Sequence, residues 1–565
     1  MFEFIRQLFH RPILALELLG ASFFINVLGL ASSIYVMQVL NRYVSHGIDA
    51  TLLTLSAGVI LAIAMEYMFR QLRMRLGQGI HTHPNVQLAT NIFTVITGAR
   101  AAALEQVSPD LRREAASNLA IIQQTYTPTN LVAILDLPFT LLALAALLML
   151  NPTIAMIAAS FLGALLLISL VSHARLRKPM EELAIAMSRS GALAGTALRE
   201  VETVRAFGAA GPMRRLWWKH QIDTTNLQHQ VHYRQMRLQS ISQAMGALMS
   251  VGIIATGAKM AVNGQMDMGV MIGVNILAGR ALAPVIRFAQ IGGMLAKARH
   301  ALAMLKRFGQ IPMEPMRGAA IRAYQGRLEL QDLSFAYPGA TTPLFESLNL
   351  MLEPGHSLSV IGGNGAGKTT LARILTGIYE PTRGQVLVDG SNLRQLLPEW
   401  WRRQLVYLPQ EPGFMDGTIR ENLMACNAGL DEAGLNRVVK LAGLERFLSE
   451  HPEGFDAKLM GGGINLALGQ RRRLALARAL ASNGRLVIFD EPTEGLDAAG
   501  RAAAFQALGA LSQEGRTVVV FSHDPTLVRG AAMTLDLDAK PTPRLIHNHP
   551  PDTKPSSATA GGDAS

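Results

Sequence analysis

The chain has 565 residues, of which 49% are hydrophobic, and its 52 Lys and Arg against 41 Asp and Glu give a formal net charge of +11. This length has room for two or three domains of about 150 residues each, and the apolar content predicts a membrane part. The single cysteine, Cys426, excludes an intramolecular disulfide and any metal cluster built on cysteines.

The basic excess has two interpretations, nucleic-acid binding or cytoplasmic loops of a membrane protein. The second is favoured because six segments approach the roughly 20 apolar residues that a membrane span needs. These predicted spans are residues 13–39, 52–69, 131–150, 154–171, 241–262 and 268–285. We therefore expect a membrane protein with no nucleic-acid partner.

The N-terminal segment "MFEFIRQLFHRP" has the positive flank of a signal peptide. The apolar run after it is too long for the core of a cleaved signal, and no clear cleavage site follows. We therefore interpret it as a retained signal anchor.

The links between the predicted spans alternate between short and long. The first, third and fifth are short ("NRYVSHGIDAT", "NPT", "NGQMD"), whereas the second and fourth are long, polar and rich in arginine. The positive-inside rule places both long links and the N-terminus in the cytoplasm. Apolar residues at helical spacing in these links predict spanning helices that continue well beyond the bilayer.

From Gly326 onwards the pattern changes to strands, a Gly-rich turn and a helix, as in a nucleotide-binding βαβ unit. The turn matches G-x-x-x-x-G-K-[ST], in which backbone N–H groups and the helix N-terminus bind phosphate. The predicted phosphate-binding residues are Gly362, Gly363, Asn364, Gly365, Ala366, Gly367, Lys368, Thr369 and Thr370. We expect Lys368 to reach the β- and γ-phosphates of ATP and Thr369 to ligate Mg²⁺.

The segment "RLVIFDE" is an apolar strand that ends in two acids. We expect Asp490 to act at the metal ion and Glu491 to polarise a water molecule towards the γ-phosphate. The alternative is a buried strand with a solvated acidic end.

These motifs resemble those of the ATP-binding cassette (ABC) exporters, and the resemblance covers nearly the whole chain. It implies a helical membrane domain with six transmembrane helices joined to an α/β P-loop nucleotide-binding domain. It also implies that Tyr337 in "FAYPG" stacks on adenine, that Gln410 in "VYLPQ" contacts Mg²⁺, and that His523 in "VVVFSHD" contacts the γ-phosphate. Asp497 in "EGLD" matches a loop that crosses the dimer interface in the family.

Family members work as dimers, with each ATP held between one subunit's phosphate loop and the partner's signature motif, L-S-G-G-Q. The equivalent residues here are Leu466, Ala467, Leu468, Gly469 and Gln470. The hydroxyl that would donate to the γ-phosphate is missing, and a leucine replaces a glycine. Ala467, Gly469 and Gln470 stay candidate ATP contacts, and a Cβ at Leu468 adds strain if that position needs an unusual φ. Just upstream, Gly461 stands where the family commonly has an acid.

The segments "YVMQVLNRYV", "DLPF" and "GRALAPV" narrow the resemblance to exporters of bacterial type I secretion. That implies an inner-membrane protein with a cytoplasmic nucleotide-binding domain, a periplasmic adaptor, an outer-membrane channel and a secreted protein cargo. The chain starts too close to its first span for a peptidase domain, so we expect no cargo processing. Asp136 and Arg280 would lie at membrane depth, where a charge needs a cavity or a partner.

The predicted domains are a transmembrane domain at residues 1–310, a nucleotide-binding domain at 326–540 and a disordered tail at 541–565. Three interpretations of the chain stay open. It is a transport ATPase active as a homodimer, with the altered signature lowering its activity; or it is one half of a heterodimer; or it is a regulatory subunit that binds ATP with little hydrolysis.

Overall fold

The computed structural model describes residues 12–44, 47–320 and 323–548. Within these ranges it divides into two compact units: the residues up to 99 with 104–311, and residues 100–103 with those from 312 onwards. The first unit is helical. The second is built on β-sheets.

The chain before residue 312 contains both long and short helices. They are α1 (Pro12–Gln38), α2 (Asp49–Gly98), α3 (Ala101–Glu105), α4 (Pro109–Thr125), α5 (Pro128–Leu135), α6 (Thr140–Leu150), α7 (Pro152–Arg199), α8 (Val201–Ala206), α9 (Ala210–Val262) and α10 (Met268–Phe308). All of them belong to the first unit, except that α3 begins in the segment 100–103 of the second. A π-helical turn, Val39–Tyr43, continues α1. Within the described residues, six helical stretches are long and apolar enough to cross a membrane.

Two helices of the first unit are much longer than a membrane span requires. The helix α7 has 48 residues and α9 has 53, which at 1.5 Å per residue gives roughly 70–80 Å against an apolar bilayer core of about 30 Å. The start of α7 is stabilised by an N-cap. The Asn151 side chain accepts a hydrogen bond from Ile154 N at 3.1 Å, and Pro152 occupies the first turn.

The third span differs from its prediction as one continuous segment. A 3₁₀ turn, Leu137–Phe139, separates α5 from α6. Pro138 lacks an N–H and disfavours α-helical geometry at the residue before it, so the helix stops there. This break places Asp136 at the end of α5, where it is buried.

The second unit holds two main sheets and their covering helices. The strands are β1 (Leu328–Phe335), β2 (Phe345–Leu352), β3 (Ser357–Ile361), β4 (Arg383–Val388), β5 (Ser391–Asn392), β6 (Leu405–Leu408), β7 (Gly417–Thr418), β8 (Lys458–Leu459), β9 (Leu486–Asp490), β10 (Thr517–Phe521), β11 (Met533–Asp536) and β12 (Arg544–His547). The helices are α11 (Lys368–Leu375), α12 (Pro398–Arg402), α13 (Ile419–Met424), α14 (Glu432–Leu441), α15 (Glu445–Glu450), α16 (Leu468–Leu480), α17 (Ala498–Gln513) and α18 (Pro525–Arg529).

The larger sheet has the order β12-β11-β3-β10-β9-β6. All its neighbouring strands run parallel except β12, which pairs antiparallel with β11. Strands β9 and β10 are buried along their whole length, as expected for a parallel sheet covered on both faces. The five parallel strands therefore end at one common edge of the sheet.

The strand β12 corrects the predicted start of the disordered tail at residue 541. Residues 544–547 form a paired strand, and the Asn548 side chain donates to Thr534 Oγ1 at 2.9 Å. Pairing with β11 orders this segment although its sequence is rich in Pro and polar residues. Residues 549–565 lie outside the described part of the chain.

Candidate functional site: a phosphate-binding edge of the parallel sheet

The predicted site residues meet because they follow neighbouring parallel strands. The phosphate loop comes directly after β3, Gln410 after β6, Asp490 and Glu491 at the end of β9, and His523 after β10. Carboxyl ends of parallel strands share one edge of a sheet, which is where ligands bind in open α/β folds. A cavity at this edge is lined by Tyr337, Gly363, Asn364, Gly365, Gly367, Lys368, Thr369, Thr370, Gln410, Glu491 and His523.

Backbone geometry explains the glycines of the loop. Gly365 and Gly367 have φ of +82° and +109°, in the left-handed region that side chains rarely adopt. A Cβ at Gly367 would also lie 2.8 Å from Leu344 Cδ2. Gly367 precedes the first residue of α11, so the loop presents its N–H groups at a helix N-terminus.

Lys368 lies at the centre of the site and is buried. Its ammonium group donates to Gly362 O at 2.6 Å and to His523 Nε2 at 2.6 Å, and it lies 3.6 Å from Glu491 Oε1. His523 Nε2 is 3.5 Å from the same Glu491 oxygen. The three side chains predicted to act at the γ-phosphate are therefore in mutual contact, with the Lys368 ammonium as the hydrogen-bond donor.

Glu491 has an unusual backbone, with φ of +49°. For a residue with a Cβ this conformation costs on the order of 1–3 kcal/mol and is typical of functional sites. A hydrogen bond from Glu491 N to Phe521 O at 2.8 Å holds it. The strained turn directs the carboxylate back towards Lys368.

Asp490, Thr369 and Gln410 provide oxygen donors that suit Mg²⁺. Asp490 is 1% exposed, and neither of its carboxylate oxygens has a hydrogen-bond partner among the described residues. The Thr369 hydroxyl donates instead to Gln410 Oε1 at 3.3 Å. A buried carboxylate without a partner is costly unless a cation neutralises it, so these residues fit the predicted metal ion.

Burial raises the pKa of Asp490 to about 6, which the nearby Thr369 hydroxyl partly offsets. Mg²⁺ binds the ionised carboxylate. We therefore expect the contribution of Mg²⁺ to ATP affinity to fall as pH decreases through 6. The carboxylate is almost fully ionised at pH 7.5 but only about one quarter ionised at pH 5.5, a roughly fourfold loss.

Titration of ATP binding with Mg²⁺ and with EDTA at both pH values measures this effect. The matched control is Asp490→Asn, which removes this carboxyl and keeps the titration of ATP and of the other groups of the site. The same pH dependence in the wild type and in Asp490→Asn would contradict the assignment.

Tyr337 is 44% exposed beside the phosphate loop. Its hydroxyl shares a hydrogen bond of 2.6 Å with Thr370 Oγ1, and its ring packs edge-on against Phe335. These contacts hold the ring in place and leave a face accessible, which supports the predicted adenine stacking.

The signature residues do not lie in the phosphate-loop cavity. Ala467, Gly469 and Gln470 line a separate surface cavity of the same domain together with Arg473 and Asp497. This separation within one chain is what the expected dimer arrangement requires, in which the partner's signature completes each site.

Leu468 is not strained. It is the first residue of α16, its φ is not positive, and its side chain is 50% exposed. The Gln470 side chain accepts from Ala467 N at 3.2 Å and so caps the helix from one side, but Ala467 has no side-chain oxygen to complete a capping box. The departure that matters chemically is therefore the missing hydroxyl at Ala467.

The backbone conformation explains why a glycine, rather than an acid, stands at residue 461. It has φ of +56° and is followed by Gly462 and Gly463 at +78° and +85°. Three consecutive residues in this region favour glycine over an acid.

The sequence did not identify two further contacts of the site. Glu494 Oε2 accepts from Gln410 Nε2 at 3.1 Å, and the Asp538 carboxylate accepts from Gly363 N at 2.9 Å. Glu494 stands four residues after Asp490 and was recognisable as a further acid near this strand end. Asp538 is 175 positions from Gly363, and no local pattern links the two.

Comparisons with known proteins agree with this geometry. Residues 345–494 match the family model described as "ABC transporter", and residues 16–283 match "ABC transporter transmembrane region". The leukotoxin translocation ATP-binding proteins LktB of Mannheimia glucosida and Mannheimia haemolytica are each 26% identical over 519 residues, which are 91% of this chain and 73% of the relative. The structure of a bacterial Atm1-family ABC exporter with ATP bound superposes with a TM-score of 0.80 at 19% identity over 94% of both chains, which shows a common fold.

Proposed function

We infer the function from the premise that this chain is an ABC exporter with a membrane domain and an ATP-binding domain. We propose that it is the inner-membrane subunit of a type I protein secretion system and that it hydrolyses ATP to drive export. The observation that carries this proposal is the similarity to leukotoxin translocation proteins across both domains. The partners would be a second ABC subunit, a periplasmic adaptor, an outer-membrane channel and a secreted protein.

In the proposed mechanism the side chains at the sheet edge have separate tasks. Lys368 exchanges its contacts with His523 and Glu491 for the γ-phosphate, and His523 turns to the same phosphate. Glu491, released from Lys368, accepts hydrogen bonding from the attacking water and polarises it. Thr369, Gln410 and Asp490 would hold Mg²⁺, which neutralises charge on the phosphates.

A second candidate is supported by Ala467, which removes a donor from the signature. In a heterodimer, the phosphate loop of this chain would combine with an intact signature from a partner. Co-purification from the native host separates the two cases, because recovery of this chain as the sole ABC subunit contradicts the heterodimer. The regulatory interpretation is disfavoured by Glu491 and His523, which ATP binding alone does not require.

Secretion by the native host tests the proposed function. We expect deletion of this chain to remove one or more proteins from the culture medium, and expression of the wild-type chain to restore them. The variant Lys368→Ala should insert in the membrane but fail to restore secretion, because it lacks the phosphate contact. The matched control is Lys440→Ala, since Lys440 is exposed near the end of α14 and does not line the phosphate-loop cavity.

Recovery of an adaptor protein with the solubilised chain would support a type I system. An unchanged set of medium proteins after deletion, combined with no adaptor, would contradict it and favour export of a smaller substrate.

A further inference from the structure

The membrane unit contains a charged cavity of about 360 Å³ between α1, α2, α10 and the broken third span. Its lining includes four arginines and two acids: Arg70, Arg73, Arg280, Arg287, Glu66 and Asp136. The four guanidinium groups and two carboxylates leave a net charge of +2. Asp136 and Arg280, the two charges predicted to lie at membrane depth, both line it.

The two acids are already paired. Arg73 Nη1 lies 2.8 Å from Asp136 Oδ1, with both side chains buried, and it also donates to Ser22 Oγ at 3.1 Å. Arg287 Nη1 lies 3.8 Å from the other Asp136 oxygen, and Arg70 pairs with Glu66. Both carboxylates among the described residues that line the cavity are therefore occupied by arginines.

Of the four arginines of the cavity, Arg280 is the one with no acidic partner among the described residues. Its guanidinium donates to Ser32 Oγ at 2.7 Å. Gly29 makes room for it, since a Cβ there would lie 2.5 Å from Arg280 Nη1. The cavity therefore holds a positive group that is positioned but not neutralised.

The positions of two cavity arginines along α10 indicate how deep in the bilayer the cavity lies. Arg280 and Arg287 stand 12 and 19 residues after the helix start at Met268, or roughly 18 and 28 Å along the axis. With an apolar core of about 30 Å and the predicted cytoplasmic N-terminus, the cavity extends from the membrane interior towards the cytoplasmic leaflet. An uncompensated positive charge at this depth is costly, so an anion would stabilise it.

An aromatic surface adjoins the cavity. Phe139 lines it, and its ring centroid is 6.5 Å from that of Phe23. Phe23 contacts Phe24 at 5.8 Å, and Phe24 stacks on Phe69 at 5.0 Å. Phe23 and Phe24 are 43% and 48% exposed. This chain of rings suits an acyl chain and gives an acidic peptide little to contact.

We propose that this cavity binds the phosphate headgroup of an anionic phospholipid from the cytoplasmic leaflet. Arg280 contacts the phosphate, with Arg287 and Arg70 at its rim, and the acyl chains lie along Phe139, Phe23 and Phe24. Arginine suits this contact because its planar fork donates two hydrogen bonds to phosphate. The lipid would complete the charge balance of the cavity.

Lipid binding to the purified full-length chain tests the proposal. Short-chain phosphatidylglycerol and phosphatidylcholine with identical acyl chains are titrated in a neutral detergent and followed by native mass spectrometry. We expect phosphatidylglycerol to bind at least tenfold more tightly. Arg280→Gln should remove this preference, and Arg280→Lys should keep most of it. The matched control Arg177→Gln lies outside the cavity, pairs with Glu181, and should leave the preference unchanged.

Three results would overturn the proposal. The first is equal affinity for the two lipids, and the second is an unchanged preference in Arg280→Gln. The third is displacement of phosphatidylglycerol by a competitor: displacement by millimolar inorganic phosphate would assign the cavity to free anions, and tighter binding of hexaglutamate than of phosphatidylglycerol would assign it to acidic peptides. Elution volume and melting temperature check folding, and Arg287→Gln is a second loss-of-charge variant. The assay needs neither ATP nor cargo, so its failure leaves the proposed export function standing.

Discussion

Replacing Glu491 with Gln is expected to lower the rate of ATP hydrolysis by about 10²–10³-fold while ATP binding stays close to that of the wild type. Gln keeps the shape of the side chain but cannot accept a proton from the attacking water. It also keeps the Cβ, so the left-handed backbone at this position, φ +49°, is retained. The substitution therefore removes the charge without changing the strain. Phosphate release by the purified chain in lipid, beside ATP titration, measures both quantities.

The matched control for this experiment is Glu494→Gln. Glu494 lies in the same loop, contacts Gln410 Nε2 at 3.1 Å and Arg472, and does not contact Lys368. We expect a loss of less than tenfold, because it positions Gln410 rather than the water. Hydrolysis by Glu491→Gln above a tenth of the wild-type rate would show that another group polarises the water.

Restoring a hydroxyl to the signature by Ala467→Ser is expected to raise ATP hydrolysis about ten- to a hundredfold. A hydrogen bond to a charged phosphate contributes about 1.5–3 kcal/mol, and Ala467 at the N-cap of α16 offers none. Leu468→Gly should add little through the backbone, since Leu468 has no positive φ to relieve. The single and double variants are compared in lipid with the wild type.

A serine at residue 467 would also cap α16, which stabilises a helix by about 1 kcal/mol without any contact to ATP. The control Ala467→Asp separates these effects, because an aspartate caps the helix but repels the phosphate. We expect both variants to raise the melting temperature and only Ala467→Ser to raise hydrolysis. Equal hydrolysis in Ala467→Ser and the wild type would mean that the signature of this chain does not limit turnover. Hydrolysis in Ala467→Ser alone would instead indicate a chain that needs the intact signature of a partner.

The sequence predicted the ATP-binding edge in advance because each of its parts is a local pattern. An apolar strand followed by glycines and Lys368, or by Asp490 and Glu491, carries its chemistry within a few residues. Parallel strands then bring such strand ends to one edge. The six spans were predictable for a similar reason, since apolar length reports membrane crossing directly.

The same local patterns failed where pairing between distant segments overrides composition. Residues 544–547 stand in a stretch that is rich in Pro and polar residues, yet β11 offers an edge with unpaired backbone groups and orders them. The strain suspected at Leu468 depended on a backbone angle, and only the folded helix α16 gives that angle.

The sequence by itself determined the fold class, a helical part with six candidate spans and an α/β part, and it predicted the residues that gather at the sheet edge, because hydrophobic length, turn chemistry and motif spacing act over short stretches of chain. Only the tertiary structure decided how the charges of the membrane unit are distributed. Arg73 and Asp136 are 63 positions apart and Arg280 and Ser32 are 248 apart, and no short-range pattern relates them. Helix packing decides which arginine pairs with a carboxylate and which arginine has no acidic partner. The reason is that a buried charge pairs with the group that packing places within a few ångströms of it.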